Sequence, residues 1–103
     1  MYVKVDREFR ATLADPTDFK KFHVEAACAA AEIERLRQAL RGIARVDSAE
    51  AAWVSQAWLR GLPELQHDRA FQDGLTAMIE KARPHGWIDA ATGAIKAHVK
   101  FLA

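Results

Sequence analysis

Few side chains in this sequence have the type and spacing for chemistry. Four histidines and one cysteine are present. His85 and His98 flank the turn sequence Asp89-Ala90-Ala91-Thr92-Gly93. A hairpin through that turn would set the two imidazoles opposite each other, where they could share a metal ion or titrate together. The local sequence supplies no third ligand, so no metal is assigned. A cysteine nucleophile needs a histidine beside it, and nothing places His23 or His67 next to Cys28, which sits among alanines as a small apolar residue would. Glycine-rich phosphate loops, nucleophile elbows and carboxylates paired at catalytic spacing are all missing. No catalytic residue and no cofactor are therefore assigned, and the chain is not read as an enzyme.

Two groups of cations remain. After the turn, Ile95, Ala97, Val99 and Phe101 alternate with Lys96, His98 and Lys100, which is period two and predicts a strand. In the register that a type I turn with a glycine bulge imposes, Asp89 faces Ala94, Ile88 faces Ile95, Trp87 faces Lys96 and His85 faces His98. Trp87, His85, Lys96, His98 and Lys100 would then share one outward face able to meet a ligand or a nucleic acid. Arg37, Arg41 and Arg45 recur every fourth residue, a positive stripe if a helix carries all three. Cations near a helix C-terminus also simply favour the dipole.

The elements that would position these groups follow from spacing. Residues 2–5 alternate as a short strand, and residues 6–14 suit a helical turn or two. Asp15-Pro16-Thr17-Asp18 has the composition of a helix start, with a cap residue before a first-turn proline. Phe19, Phe22, Ala26, Ala29, Ile33, Leu36, Leu40 and Ile43 then step by three and four. They predict a helix over residues 16–41 that would be about 39 Å long, against roughly 33 Å for a sphere of this chain length. Val24, Ala27, Cys28, Ala30 and Ala31 make its opposite side apolar as well, and a helix apolar on both sides is buried on both sides. Phe19, Phe22, Val24, Ala27 and Ala31 are thus candidate interface residues of a homodimer. A second helix is expected from the capping-box spacing at residues 47–50 up to Gly61. Trp53 and Trp58, about 140° apart on it, cannot share a narrow stripe. A third helix is expected over residues 68–83, carrying Phe71, Leu75, Met78, Ile79 and Ala82, with Gly74 costing roughly 1 kcal/mol relative to alanine. The predicted fold class is α+β: a three-helix domain with a long first helix and a C-terminal β-hairpin, which the N-terminal strand would extend to three strands.

Composition bounds the rest. The 103 residues suit one domain. Alanine makes up 21 of the 52 apolar residues, so the core is modest. Fifteen basic against fourteen acidic side chains leave a net charge of +1, which argues against a nucleic-acid partner bound through phosphates. No apolar run reaches membrane-spanning length, and Asp6, Glu8, Asp15 and Asp18 are unlike a secretory leader, so a soluble cytoplasmic protein is expected. Three helices and a basic, aromatic hairpin resemble in outline a winged helix, but the order of strands departs from that fold. The exposed Gln72, Asp73, Glu80 and Lys81 are also not a set that reads base edges. The leading expectation is a small interaction or regulatory module that self-associates through its first helix or meets another protein. A nucleic-acid-binding protein and a small-molecule binder with a pocket between helices and hairpin are the alternatives.

Overall fold

Period two, rather than the helical period, governs most of this chain. The computed structural model describes residues 1–103. Its strands are β1 (Tyr2–Val5), β2 (Ala11–Ala14), β3 (His23–Ala26), β4 (Ala44–Val46), β5 (Ala51–Val54) and β6 (Ile95–Phe101). Its helices are α1 (Ile33–Ala39), α2 (Gln56–Arg60) and α3 (Arg69–Ala82). The strands form one six-stranded sheet in the order β2-β1-β3-β6-β5-β4, curved into a mixed half-barrel. β3 runs parallel to both its neighbours, β1 and β6, while the other pairs are antiparallel. This sheet-dominated architecture replaces the expected three-helix domain with a C-terminal hairpin.

The long first helix is the main correction. Residues 16–41 contain a turn, β3, a single 3-10 turn at Ala30–Glu32 and the seven-residue α1. Asp15 and Lys21 adopt φ of 50° and 53°, and neither can sit inside a right-handed helix. The Asp18 N–H donates to the Asp15 carbonyl at 3.0 Å, so Asp15-Pro16-Thr17-Asp18 closes a turn where a helix start was expected. The apolarity on two sides has a simple origin. Val24 and Ala26 are two residues apart and both buried, whereas His23 and Glu25, which alternate with them, are only half-buried. Projected onto a helix, such alternation places apolar residues on opposite sides. In a strand it is one face.

The same substitution of strand for helix occurs at residues 47–54. Asp47-Ser48-Ala49-Glu50 is the β4–β5 connection, in which the Asp47 and Ser48 N–H groups both donate to the Ala51 carbonyl. The helix cap comes later, at Ser55, whose hydroxyl accepts from the Trp58 N–H at 3.2 Å. Trp53 and Trp58 therefore belong to different elements. Residues 6–14, expected as a helical turn or two, are likewise a tight connection over 6–10, with Asp6 Oδ1 accepting from the Glu8 and Arg10 N–H groups, followed by β2.

Other expectations match what is observed. Residues 2–5 are a strand, and α3 starts where Asp68 Oδ1 accepts from the Phe71 N–H at 3.0 Å. Residues 95–101 are a strand, and the turn before it has the expected form. Asp89 Oδ1 accepts from Ala91, the Gly93 N–H donates to the Asp89 carbonyl, and Gly93 takes φ of 74°. Yet β6 is a central strand of the sheet, not the end of a free hairpin. The core lies on one face, where Val3, Val24 and Val99 form a cross-strand row against Leu36, Leu59, Leu75 and Ile79 from the helices and Leu40 just after α1. All twenty buried residues are apolar, and no buried polar side-chain atom lacks a partner.

Candidate functional site

β6 changes partner half-way along one of its sides, and the candidate site lies there. The Lys96 N–H donates to the Trp87 carbonyl and the Asp89 N–H to the Ala94 carbonyl, with Ile88 bridging Ile95, so residues 87–89 flank the start of β6. Beyond Lys96 that pairing stops. β3 takes over with His23 opposite His98 and Val24 opposite Val99. The expected continuation, His85 opposite His98, is not formed because the chain turns away at Gly86, which holds φ of 75°. A groove of about 950 Å³ follows from this change of partner.

Three elements wall the groove. One row of α3, Gly74, Ala77, Met78 and Lys81, continues into His85 and lies beside the core row Phe71, Leu75, Ile79 and Ala82. Residues 17–22 face it with Phe19, Lys20, Lys21 and Phe22, and the start of β6 contributes Ile95, Lys96, Ala97 and His98. Phe19 joins the two walls. Its ring lies against Gly74, where a Cβ would come within 2.3 Å of Cζ, and 6.0 Å from the Phe71 ring. The mid-helix glycine thus has a packing reason, since any side chain would displace that ring. At the rim the His85 imidazole stacks on Trp87 with centroids 4.4 Å apart, and Trp87 keeps 47% of its surface exposed. The lining is mostly apolar, rimmed by cations.

The residues expected to act together divide as follows. His85, Trp87, Lys96 and His98 all line the groove, as do Phe19 and Phe22, which were expected at a helical interface. Lys100 lies outside it, paired in register with Glu25 on the exposed sheet face. Val24 is fully buried in β3, and Ala27 follows that strand, donating from its N–H to the Val5 carbonyl. Ala31 is exposed in the 3-10 turn. These five positions do not share a face, so the helix through which self-association was expected is not formed. Arg37, Arg41 and Arg45 sit on α1, in the following turn and on β4, and make no stripe. Arg37 instead ties α1 to β4, donating from Nε to the Val46 carbonyl at 3.0 Å while pairing with Glu34. Arg45 pairs with Asp47, whose second oxygen accepts from the Trp53 indole N–H.

Sequence reasoning missed Lys20, Lys21, Ala77 and Lys81 as groove residues. Gly74 was the available signal, since a costly glycine inside an apolar helix implies a close approach. Other reactive groups have structural roles. His23 stacks on Tyr2 at 4.8 Å, and its ring nitrogens contact the Lys21 carbonyl and Glu25. Burial, with Glu32 nearby, raises the Cys28 thiol above its ordinary pKa, the opposite of what a nucleophile needs. No cluster of three or more His, Cys, Asp or Glu side chains is placed to hold a metal ion. No helix is long and apolar enough to cross a membrane.

Comparison with models of known families, with curated proteins and with solved structures gives no match to this chain.

Proposed function

We propose that this chain is a small binding module that takes a ligand with an apolar body into the groove between α3, residues 17–22 and the start of β6. The observation that carries this reading is the groove itself, about 950 Å³ with apolar walls, within the roughly 300–1,000 Å³ usual for small-molecule sites. The sequence at its walls supports it. Ala77 keeps the α3 wall low, Phe22 and Met78 supply soft apolar contact, and the exposed Trp87 gives a flat surface at the rim. No nucleophile or metal cluster accompanies them, so the reading stops at binding.

The test uses a neutral fluorescent probe, N-phenyl-1-naphthylamine, and the exposed groove position Ala77. The probe should brighten on binding the native protein, and Ala77→Trp, which fills the groove from an exposed helix position, should weaken it at least tenfold. Stability should change by no more than about 0.5 kcal/mol, as is usual for surface substitutions. A probe that does not bind, or that binds Ala77→Trp as well as the parent, rejects the reading.

A further inference from the structure

Lysine and arginine are distributed unequally over this molecule. The sequence has six lysines and nine arginines. Four of the six lysines, Lys20, Lys21, Lys81 and Lys96, line the groove, and no arginine does. Six of the nine arginines, Arg10, Arg35, Arg37, Arg45, Arg69 and Arg83, pair with carboxylates, whereas Arg7, Arg41 and Arg60, like Lys4 and Lys100, do not. None of the four groove lysines makes an ion pair or a side-chain hydrogen bond within the chain. Two carboxylates, Asp18 and Glu50, also line the groove. Asp18 is already engaged, since its Oδ1 accepts from the Lys20 N–H at 3.0 Å. Four lysines against two carboxylates leave a formal +2 in the groove, although the whole chain carries only +1.

From this charge arrangement, and resting on the binding role proposed above, we infer that the ligand is an amphipathic anion. Its apolar chain or ring lies against Phe22, Met78 and Trp87, and its carboxylate or phosphate head meets the lysines on opposite walls. The lysines suit this role. Each is an unpaired point charge on a flexible stem, able to close on a head group, and a rim of such charges beside apolar walls favours a ligand with one charged end over a neutral or cationic one.

The test displaces N-phenyl-1-naphthylamine with four compounds of equal chain length, used below their micelle concentrations: dodecanoate, dodecyl phosphate, dodecanol and dodecyltrimethylammonium. Dodecanoate or dodecyl phosphate should displace the probe at least tenfold more tightly than dodecanol, with the ammonium compound weakest. The order of the first two tells which head group is preferred. Partly exposed ion pairs are individually weak, so the double variant Lys20→Gln/Lys81→Gln should lower affinity for the preferred anion by about tenfold. It should change binding of the neutral probe less than twofold. Lys4→Gln/Lys100→Gln removes the same charge from lysines outside the groove and should leave both affinities unchanged. Equal displacement by dodecanoate, dodecyl phosphate and dodecanol overturns the anion inference while leaving the binding role standing. So does an equal loss from the two double variants. If neither the probe nor any of the four compounds binds, both fall together.

Discussion

At the scale of single residues, the contact between Gly74 and Phe19 is the most informative. An alanine at position 74 would bring its Cβ within 2.3 Å of the Phe19 ring. Removing a mid-helix glycine gains up to about 1 kcal/mol of helix propensity, while overpacking costs roughly 1–3 kcal/mol. Urea unfolding should therefore show Gly74→Ala to be neutral or destabilising in the parent, but stabilising by up to about 1 kcal/mol in a Phe19→Ala background. Stabilisation of equal size in both backgrounds would mean that the ring does not rest there. Asp89 provides a second test. The Ala91 N–H above all, with help from Thr92, holds its carboxyl below the ordinary 3.8. The folded chain thus gives up this proton more readily than the unfolded chain. The resulting stabilisation is complete above 3.8 and is lost as pH falls through the lower folded value. Asn cannot titrate but keeps an oxygen acceptor, so the parent should exceed Asp89→Asn in urea midpoint at pH 7, and the gap should narrow by pH 3. An unchanged gap would contradict it. This turn was legible in the sequence because Asp, Thr and Gly stand at fixed places in a local motif. Phe19 on Gly74 was not, because fifty-five positions separate them and nothing local names the partner.

At the scale of elements, β3 shows where sequence reading reaches its limit. Alanine tolerates helix and strand alike, and a four-residue strand offers only two inward positions, here Val24 and Ala26. A spacing of three and four could therefore be threaded through residues that in fact alternate, and long-range pairing to β1 and β6 decided the outcome. Where the element itself is longer, the fourteen residues of α3 and the seven of β6, the reading matched the structure. The two accounts of residues 19–31 separate cleanly. A helix covered on both sides would make Val24 and Ala31 comparable, whereas β3 buries Val24 fully and the 3-10 turn leaves Ala31 exposed. Val24→Ala should cost about 2 kcal/mol, and Ala31→Glu no more than about 0.5 kcal/mol. Comparable losses at the two positions would favour the helix.

At the scale of the whole molecule, a half-barrel sheet buries its apolar face under three helices and presents a polar face to solvent. The groove opens where β6 passes from residues 87–89 to β3. Four residues named from the sequence as one outward face, His85, Trp87, Lys96 and His98, do meet there. They meet through a change of strand partner, and not through the single hairpin that local register predicted. The other wall, residues 17–22, could not be foreseen while those residues were read as helix. The account thus requires two sequence-distant segments to respond to one ligand. Backbone amide chemical shifts followed during titration with dodecanoate test this most directly. Changes should concentrate at residues 17–22, at Gly74, Ala77, Met78 and Lys81, and at residues 85–87 and 95–98. Shifts confined to Lys4, Arg45, Trp53 and Lys100 on the polar sheet face, or no shifts at all, would contradict it.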